Sequence, residues 1–307
     1  MVNKAEPPRK KARSSGPSLL SHTQVLAIAD ERPSIIRVRD LQVTLKGPMD
    51  AWGRTGKQQP ALVSVEVRMR EPFGESSEKD EVAGDTVHYG LLAKGIMAKI
   101  QETEEQECLM GYMITLWRKL VGYVDLSCVM QFLGDAGEAL LKKEQVAYVR
   151  VSIKMTKASL LGEGVSMDWA AAFLEDTTAR GMEAAASSMK VHGLRIPTLV
   201  GVNANERTAK QIVLANVWVE KMLGVSEDFH PDFEAVVTQA ISESSFETLE
   251  ALAQFVLEKL KAKYAESWKE NVDATESGPW LFGIELQKPI AVPFAEAPCV
   301  ELKASAE

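Results

Sequence analysis

An α+β fold built from two similar units is predicted by three features of this chain. Its 307 residues suit two units of roughly 130 residues better than one domain. The succession strand, strand, helix, helix, strand, strand can be read along it twice. Residues of the first run also recur in order in the second. Val38, Leu41, Arg54 and Lys57 return 153 positions later as Val191, Leu194, Arg207 and Lys210. Gln59, Leu62, Val65 and Val67 return 152 positions later as Gln211, Leu214, Val217 and Val219. Farther on, Leu126, Gln131 and Phe132 match Leu249, Gln254 and Phe255, and Lys157 matches Lys288. One such match is cheap, but an ordered series points to internal duplication.

The elements follow from local pattern. Residues 1–33 read as a flexible arm with a basic cluster, Arg9-Lys10-Lys11-Ala12-Arg13, in a Pro/Ser/Gly setting that has little to bury. Its composition suits a solvated tail and also an import signal. The first unit spans 34–169. Ile35 to Leu45 is rich in β-branched and long apolar residues before Gly47-Pro48 stops it. From Ala61 to Met69, Val63, Val65, Val67 and Met69 alternate with Ser64, Glu66 and Arg68, as in a half-buried strand. Asp85 and Thr86 offer cap chemistry for a helix to about Ile100, with Tyr89, Leu92, Ile96 and Ile100 on its apolar side. An acidic patch and an apolar stretch to Val124 precede a second helix over about Leu126–Lys143. Strands at Val146–Thr156 and Val165–Trp169 close the unit.

Residues 170–189, Ala-rich and polar, read as a partly helical linker. The second unit, 190–307, repeats the order, with strands at Val191–Leu199 and Ile212–Val219 and a short helix at Phe233–Ile241. Ser244-Ser245-Phe246-Glu247 has capping-box spacing and opens a helix through Leu249, Leu252, Ala253, Val256 and Leu260. Strands at Leu281–Gln287 and Cys299–Leu302 complete it.

Composition narrows the function. A net charge of −8 does not favour nucleic acid, whose phosphates need clustered Lys and Arg. No apolar run reaches the roughly 18 residues of a membrane span, and no signal-peptide core follows the N-terminus. Three cysteines without ligand-like spacing suit a reducing compartment, so a cytoplasmic location is expected, with the nucleus as the alternative that the basic cluster raises.

Four stretches carry a resemblance. They are Asp85-Thr86-Val87-His88-Tyr89-Gly90, Asn205-Glu206-Arg207, Thr248-Leu249-Glu250-Ala251-Leu252-Ala253, and Lys288-Pro289 leading to Val292-Pro293. In this order they resemble the dihydroneopterin aldolase family of folate biosynthesis, over about residues 35–169 and 190–303. The resemblance implies the tunnelling fold: tandem modules, each an antiparallel four-stranded sheet with two helices on one face (ββααββ), joined side by side into a barrel of a homo-oligomer. It also implies active sites between neighbouring modules. One neighbour contributes Tyr89 with Val87 and His88. The other contributes Glu206, Glu250 and Lys288, with the Leu249 backbone reading the pterin.

The chemistry fits those residue types. A pterin's amino-pyrimidinone edge offers two adjacent N–H donors, which one carboxylate, Glu250, can accept together. Cleaving the C1′–C2′ bond of 7,8-dihydroneopterin needs a base on the 2′-hydroxyl and an electron sink. The pterin C6=N5 bond is that sink, so neither a metal nor a Schiff base is demanded and no cofactor is expected. Lys288 is expected as the base, through a water and with its pKa lowered by desolvation. Tyr89 is expected to protonate C1′, and Glu206 to bind the side-chain hydroxyls or orient the base. Products are 6-hydroxymethyl-7,8-dihydropterin and glycolaldehyde.

The two units depart from the family pattern in opposite ways. Gly53 and Ser127 align with Glu206 and Glu250, whereas Phe233 aligns with Tyr89. One complete site per pair of units is therefore expected. Tyr89 lies 38 residues before Ser127 and Phe233 lies 17 before Glu250, so an insertion of 21 residues is expected in the first unit. Four scattered histidines argue against the zinc enzymes of this fold. Uricase, also a tandem protein, lacks the quoted stretches. The alternative to an enzyme is a non-catalytic pterin-binding scaffold.

Overall fold

The computed structural model describes residues 18–122, 139–142, 144–173, 182–222, 227–275 and 278–307. Its elements run β1 (Ser18–Leu19), α1 (His22–Ala29), β2 (Ile35–Lys46), β3 (Gln58–Met69), α2 (Gly74–Lys79), α3 (Tyr89–Glu102), α4 (Leu109–Val121), β4 (Val146–Met155) and β5 (Val165–Phe173). They continue with β6 (Met182–Thr198), a 3-10 turn (Ala204–Arg207), β7 (Gln211–Glu220), α5 (His230–Ser242), α6 (Leu249–Lys263), α7 (Ala265–Thr275), β8 (Leu281–Gln287) and β9 (Cys299–Ser305).

Strands β2 to β9 form one continuous antiparallel sheet in chain order, and β1 joins β6 in parallel. Val63, Val65, Val67 and Met69 of β3 are all buried, as their alternation predicts. They meet Leu92, Ile96 and Ile100 of α3 and the apolar side of α4 in one core with the second half's helices. Among the described residues, no helix is long and apolar enough to cross a membrane.

A local irregularity recurs in both halves. The β2–β3 ladder shifts register between Val38 and Leu41, and the β6–β7 ladder between Val191 and Leu194. Asp40 in the first bulge has φ 53° and Gly193, 153 residues on, has φ 58°. The Asp40 N–H donates to Ser64 Oγ at 2.9 Å, and the Gly193 N–H donates to Asn216 Oδ1 at 3.0 Å. A bulge needs one residue in the left-handed region, and Gly or a short polar side chain meets that need at little cost.

Three expectations about organisation change. Residues 170–173 and 182–189 are strand, not linker: β5 pairs with β6 and carries the sheet from one half to the other. Part of the expected arm is folded, because Ser21 and Gln24 form a capping box that starts α1. Val25 and Ala29 of α1 pack on Tyr148, Ala170, Ala172, Ala184 and Ala186. The alanines that suggested a linker are small because a helix lies across them. The basic cluster falls outside the described residues.

The second helix of the first half is α4, the stretch read as merely apolar. The predicted helix at 126–143 falls largely outside the described residues. Cys108 precedes α4 as Thr248 precedes α6, and the buried sets Tyr112, Met113, Leu116, Trp117, Leu120 and Leu252, Ala253, Val256, Leu257, Leu260 have identical spacing. No insertion therefore separates the first two helices.

Candidate active site

The turn after β6 presents Glu206. Asn203 donates from its backbone N–H and from Nδ2 to Glu206 Oε2, at 3.0 and 2.9 Å. The other carboxylate oxygen pairs with Lys288 Nζ at the end of β8. Lys288 is only 5% exposed, and the Glu206 side chain 17%. Gly201 makes room for this pair. It has φ +144°, and a Cβ there would lie 2.6 Å from Glu206 Cβ.

The same turn is tied to the start of α6. The Gly201 N–H and Arg207 Nη1 both donate to the Phe246 carbonyl, at 3.3 and 3.1 Å. Thr248, not Ser244, caps α6, accepting from the Ala251 N–H at 3.2 Å. Ser244 Oγ instead donates to the Ile241 carbonyl, so the expected box at 244–247 lies one turn too early. Leu249 packs partly into the core, while Glu250 stands exposed in the first turn, where the helix dipole favours an acid. Glu206, Lys288, Leu249 and Glu250 thus belong to one corner of the second half.

Lys288 is buried and donates to Glu206. That bond, followed by the bonds from Asn203, holds the Glu206 carboxyl below its ordinary value. A carboxyl depressed on folding contributes stability that is complete above the unfolded pKa of about 4.3 and is lost as pH falls through the lower folded value. Thermal midpoints of Glu206→Gln and the parent are therefore expected to differ at pH 6 and to converge towards pH 3. A gap that does not depend on pH would contradict this pairing.

Val87, His88 and Tyr89 stand at the start of α3. His88, rather than Asp85 or Thr86, caps this helix, its Nδ1 accepting from the N–H groups of Gly90 and Leu91 at 3.1 and 3.4 Å. Asp85 is instead held by the Ser76 N–H and hydroxyl. Tyr89 is not on the buried side with Leu92, Ile96 and Ile100, since it is 69% exposed. Val87 packs partly against the core. A cavity of about 590 Å³ beside α3, lined by Gln42, Thr44, Met97 and Thr156 among others, includes none of the candidate residues.

Tyr89 and Lys288 of one chain do not meet through its own sheet. Helix α3 packs on β2 and α6 on β8 and β9, at opposite ends. Six strand spacings separate β2 from β8, about 29 Å along the sheet. What meets inside the chain is the other combination. The start of α5 meets the first half's corner: Glu234 accepts from the Leu160 and Leu161 N–H groups at 3.1 and 3.0 Å, and Asp228 accepts from those of Met49 and Leu109 at 2.9 Å each.

Core register also corrects the alignment of the halves. Leu92, Ile96 and Ile100 correspond in spacing to Phe233, Val237 and Ile241, so Phe233 is a core residue and His230 stands where Tyr89 does. The matching N-caps of α4 and α6 put Met110, not Ser127, in the place of Glu250. In the ladders, Val151 faces Val65 as Ile284 faces Val217, which puts buried Met155, not Lys157, in the place of Lys288. The helix match was hidden in sequence because Cys108-Leu109-Met110 shares only one residue with Thr248-Leu249-Glu250.

The fold places the chain first in a structural class. Urate oxidase from Bacillus sp. TB-90 superposes with a TM-score of 0.50 at 7% identity, covering 89% of this chain and 100% of that one. Uricase from Arthrobacter globiformis gives 0.51 at 10% identity, covering 90% and 95%. These proteins share its mixed α/β fold with an extended antiparallel sheet. Residues 189–303 match the family model FolB, dihydroneopterin aldolase. The dihydroneopterin aldolase of E. coli, crystallised in complex with neopterin, is 20% identical over 38% of this chain and 98% of its own, with a TM-score of 0.31. No curated protein matches the chain. Over residues 189–303 the chain is thus similar in sequence to the dihydroneopterin aldolase family.

Proposed function

We propose that the chain is a dihydroneopterin aldolase, formed of two duplicated ββααββ modules, whose working site is completed by a second copy of itself. The observation that carries this reading is the junction inside the chain. There the β2–β3 loop and the start of α4 meet Asp228, just before α5, and the loop after β4 meets Glu234 near the start of α5. The corresponding corner of the second half holds Glu206, Leu249, Glu250 and Lys288. What corresponds to α5 is α3, with Val87, His88 and Tyr89. The edges of the sheet, β2 and β9, are the strands through which one chain's α3 reaches another chain's corner. Exposed Tyr89 beside Leu91 at one end, and exposed Ile290 and Phe294 at the other, are apolar surface suited to such a contact.

In this site Glu250 accepts the two N–H donors of the pterin edge, and the Leu249 amide donates to its carbonyl. Lys288, positioned by Glu206, takes the 2′-hydroxyl proton through a water. The C1′–C2′ bond breaks, glycolaldehyde leaves, and the bond's electrons pass through C6 to N5. Tyr89 of the neighbouring chain, positioned by the His88-capped turn, returns a proton to C1′.

The test is to incubate the purified chain with 7,8-dihydroneopterin and a chelator and to measure glycolaldehyde. Tight pterin binding without glycolaldehyde would sink the lyase and leave the scaffold. Glu250→Gln is expected to weaken pterin binding by about 2–3 kcal/mol, the worth of a charge-assisted hydrogen-bonded pair, as read by calorimetry. Unchanged affinity would remove Glu250 from the pocket.

A further inference from the structure

We infer that the junction between the two halves is a carboxylate-binding pocket that the chain keeps filled with its own Asp228. This side chain reaches across from the second half, and its two oxygens accept from the backbone N–H groups of Met49 and Leu109, both at 2.9 Å. The Leu109 N–H opens α4, a 13-residue helix, so the acceptor sits where an anion is favoured. A second side chain of the same segment is bonded to Met49 as well. His230 is 1% exposed, hydrogen-bonds the Met49 backbone, and has no partner for Nε2 among the described residues. Burial lowers its pKa to about 4, so it enters the junction as a neutral imidazole. Asp228 and His230 therefore hold the Met49 peptide between them.

Leu109 occupies the place in α4 that Leu249 occupies in α6, so Asp228 sits on the counterpart of an amide assigned to the substrate at the other corner. Core spacing matches Asp228 to Val87, which has no group able to accept there. Met110 and Met155, the counterparts of Glu250 and Lys288, are buried and uncharged, while burial pushes the Asp228 carboxyl up from its ordinary value and the two backbone N–H groups oppose that shift. The pocket is thus used as a seam. The geometry of this inference does not depend on what the other corner binds.

Asp228→Ala leaves two buried N–H donors unmatched and vacates space for a small carboxylate. In the full-length protein it is expected to lower the thermal midpoint by about 5 °C. Sodium formate at 50 mM is expected to restore at least about half of that loss, relative to chloride at equal ionic strength, and to leave the parent unchanged. An unchanged midpoint in the variant, or an equal response of parent and variant to formate, overturns the inference. Should Asp228→Ala not fold, the parent itself is tested by amide hydrogen exchange. The Met49 and Leu109 amides are expected to be protected at least about tenfold more than those of exposed Ala204 and Asn205. Equal exchange overturns the inference as well. Because none of these readouts involves a pterin, their failure leaves the aldolase reading standing, and failure of that reading leaves them intact.

Discussion

Two inactive variants, Tyr89→Phe and Lys288→Ala, are expected to regain activity when co-expressed. Each alone removes one proton-transfer group, and loss of such a group costs about 10²- to 10⁴-fold in kcat. If every working site draws Tyr89 from one chain and Lys288 from its neighbour, random assembly of equal amounts leaves both groups intact at about a quarter of the junctions, whatever the number of chains in the ring. Activity should then rise at least about 25-fold above either variant alone. The expectation follows from the sheet order, which puts α3 and β8 at opposite ends of one chain. A site within a single chain predicts no recovery, because no chain in the mixture carries both groups. The measurement is glycolaldehyde release by the co-expressed, co-purified oligomer. Absence of recovery in a verified mixed oligomer would defeat the shared site without touching the assignment of either residue.

Much of this arrangement is legible in the sequence. Alternation in β3 and the spacing of Leu92, Ile96 and Ile100 identified buried faces, because burial imposes a period that survives substitution. The offset of 153 in β2 and β6 is matched by a bulge at the same place in both. Glu206 and Lys288, 82 positions apart, were named from motif order and lie in contact. The errors have physical sources. The Leu126–Phe132 match outweighed α4, whose broad apolar face lacks a polar cap signal at Cys108. Sequence alone matches Phe233 to Tyr89, whereas the core aligns it to Leu92. The alanines of β5 and β6 resemble a linker unless a helix is known to lie on them. Asp228 had no signal at all, since its two partners are backbone amides distant in sequence.

The ladder register makes a second, larger distinction between two lysines that sequence treated as equivalent. Lys288→Ala is expected to lower kcat for dihydroneopterin cleavage by about 10²- to 10⁴-fold. Lys157→Ala is expected to stay within about twofold, as for an exposed side chain outside the chemistry. Both lysines follow a strand that ends a ladder, but the shared register makes Met155 rather than Lys157 the counterpart of Lys288, which comes one residue after the last β7–β8 pair. Lys157 lies two residues beyond, past the end of β4, and among the described residues has no carboxylate comparable to Glu206 fixed against it by a capped turn. Lys288→Arg separates charge from proton transfer: it keeps a cation for Glu206 but replaces the amine with a group that does not give up its proton. It should preserve the pH-dependent stability of the turn while remaining as inactive as the alanine variant. Comparable losses at Lys157 and Lys288 would mean that both junctions work, in which case Asp228 cannot be a permanent occupant of the first.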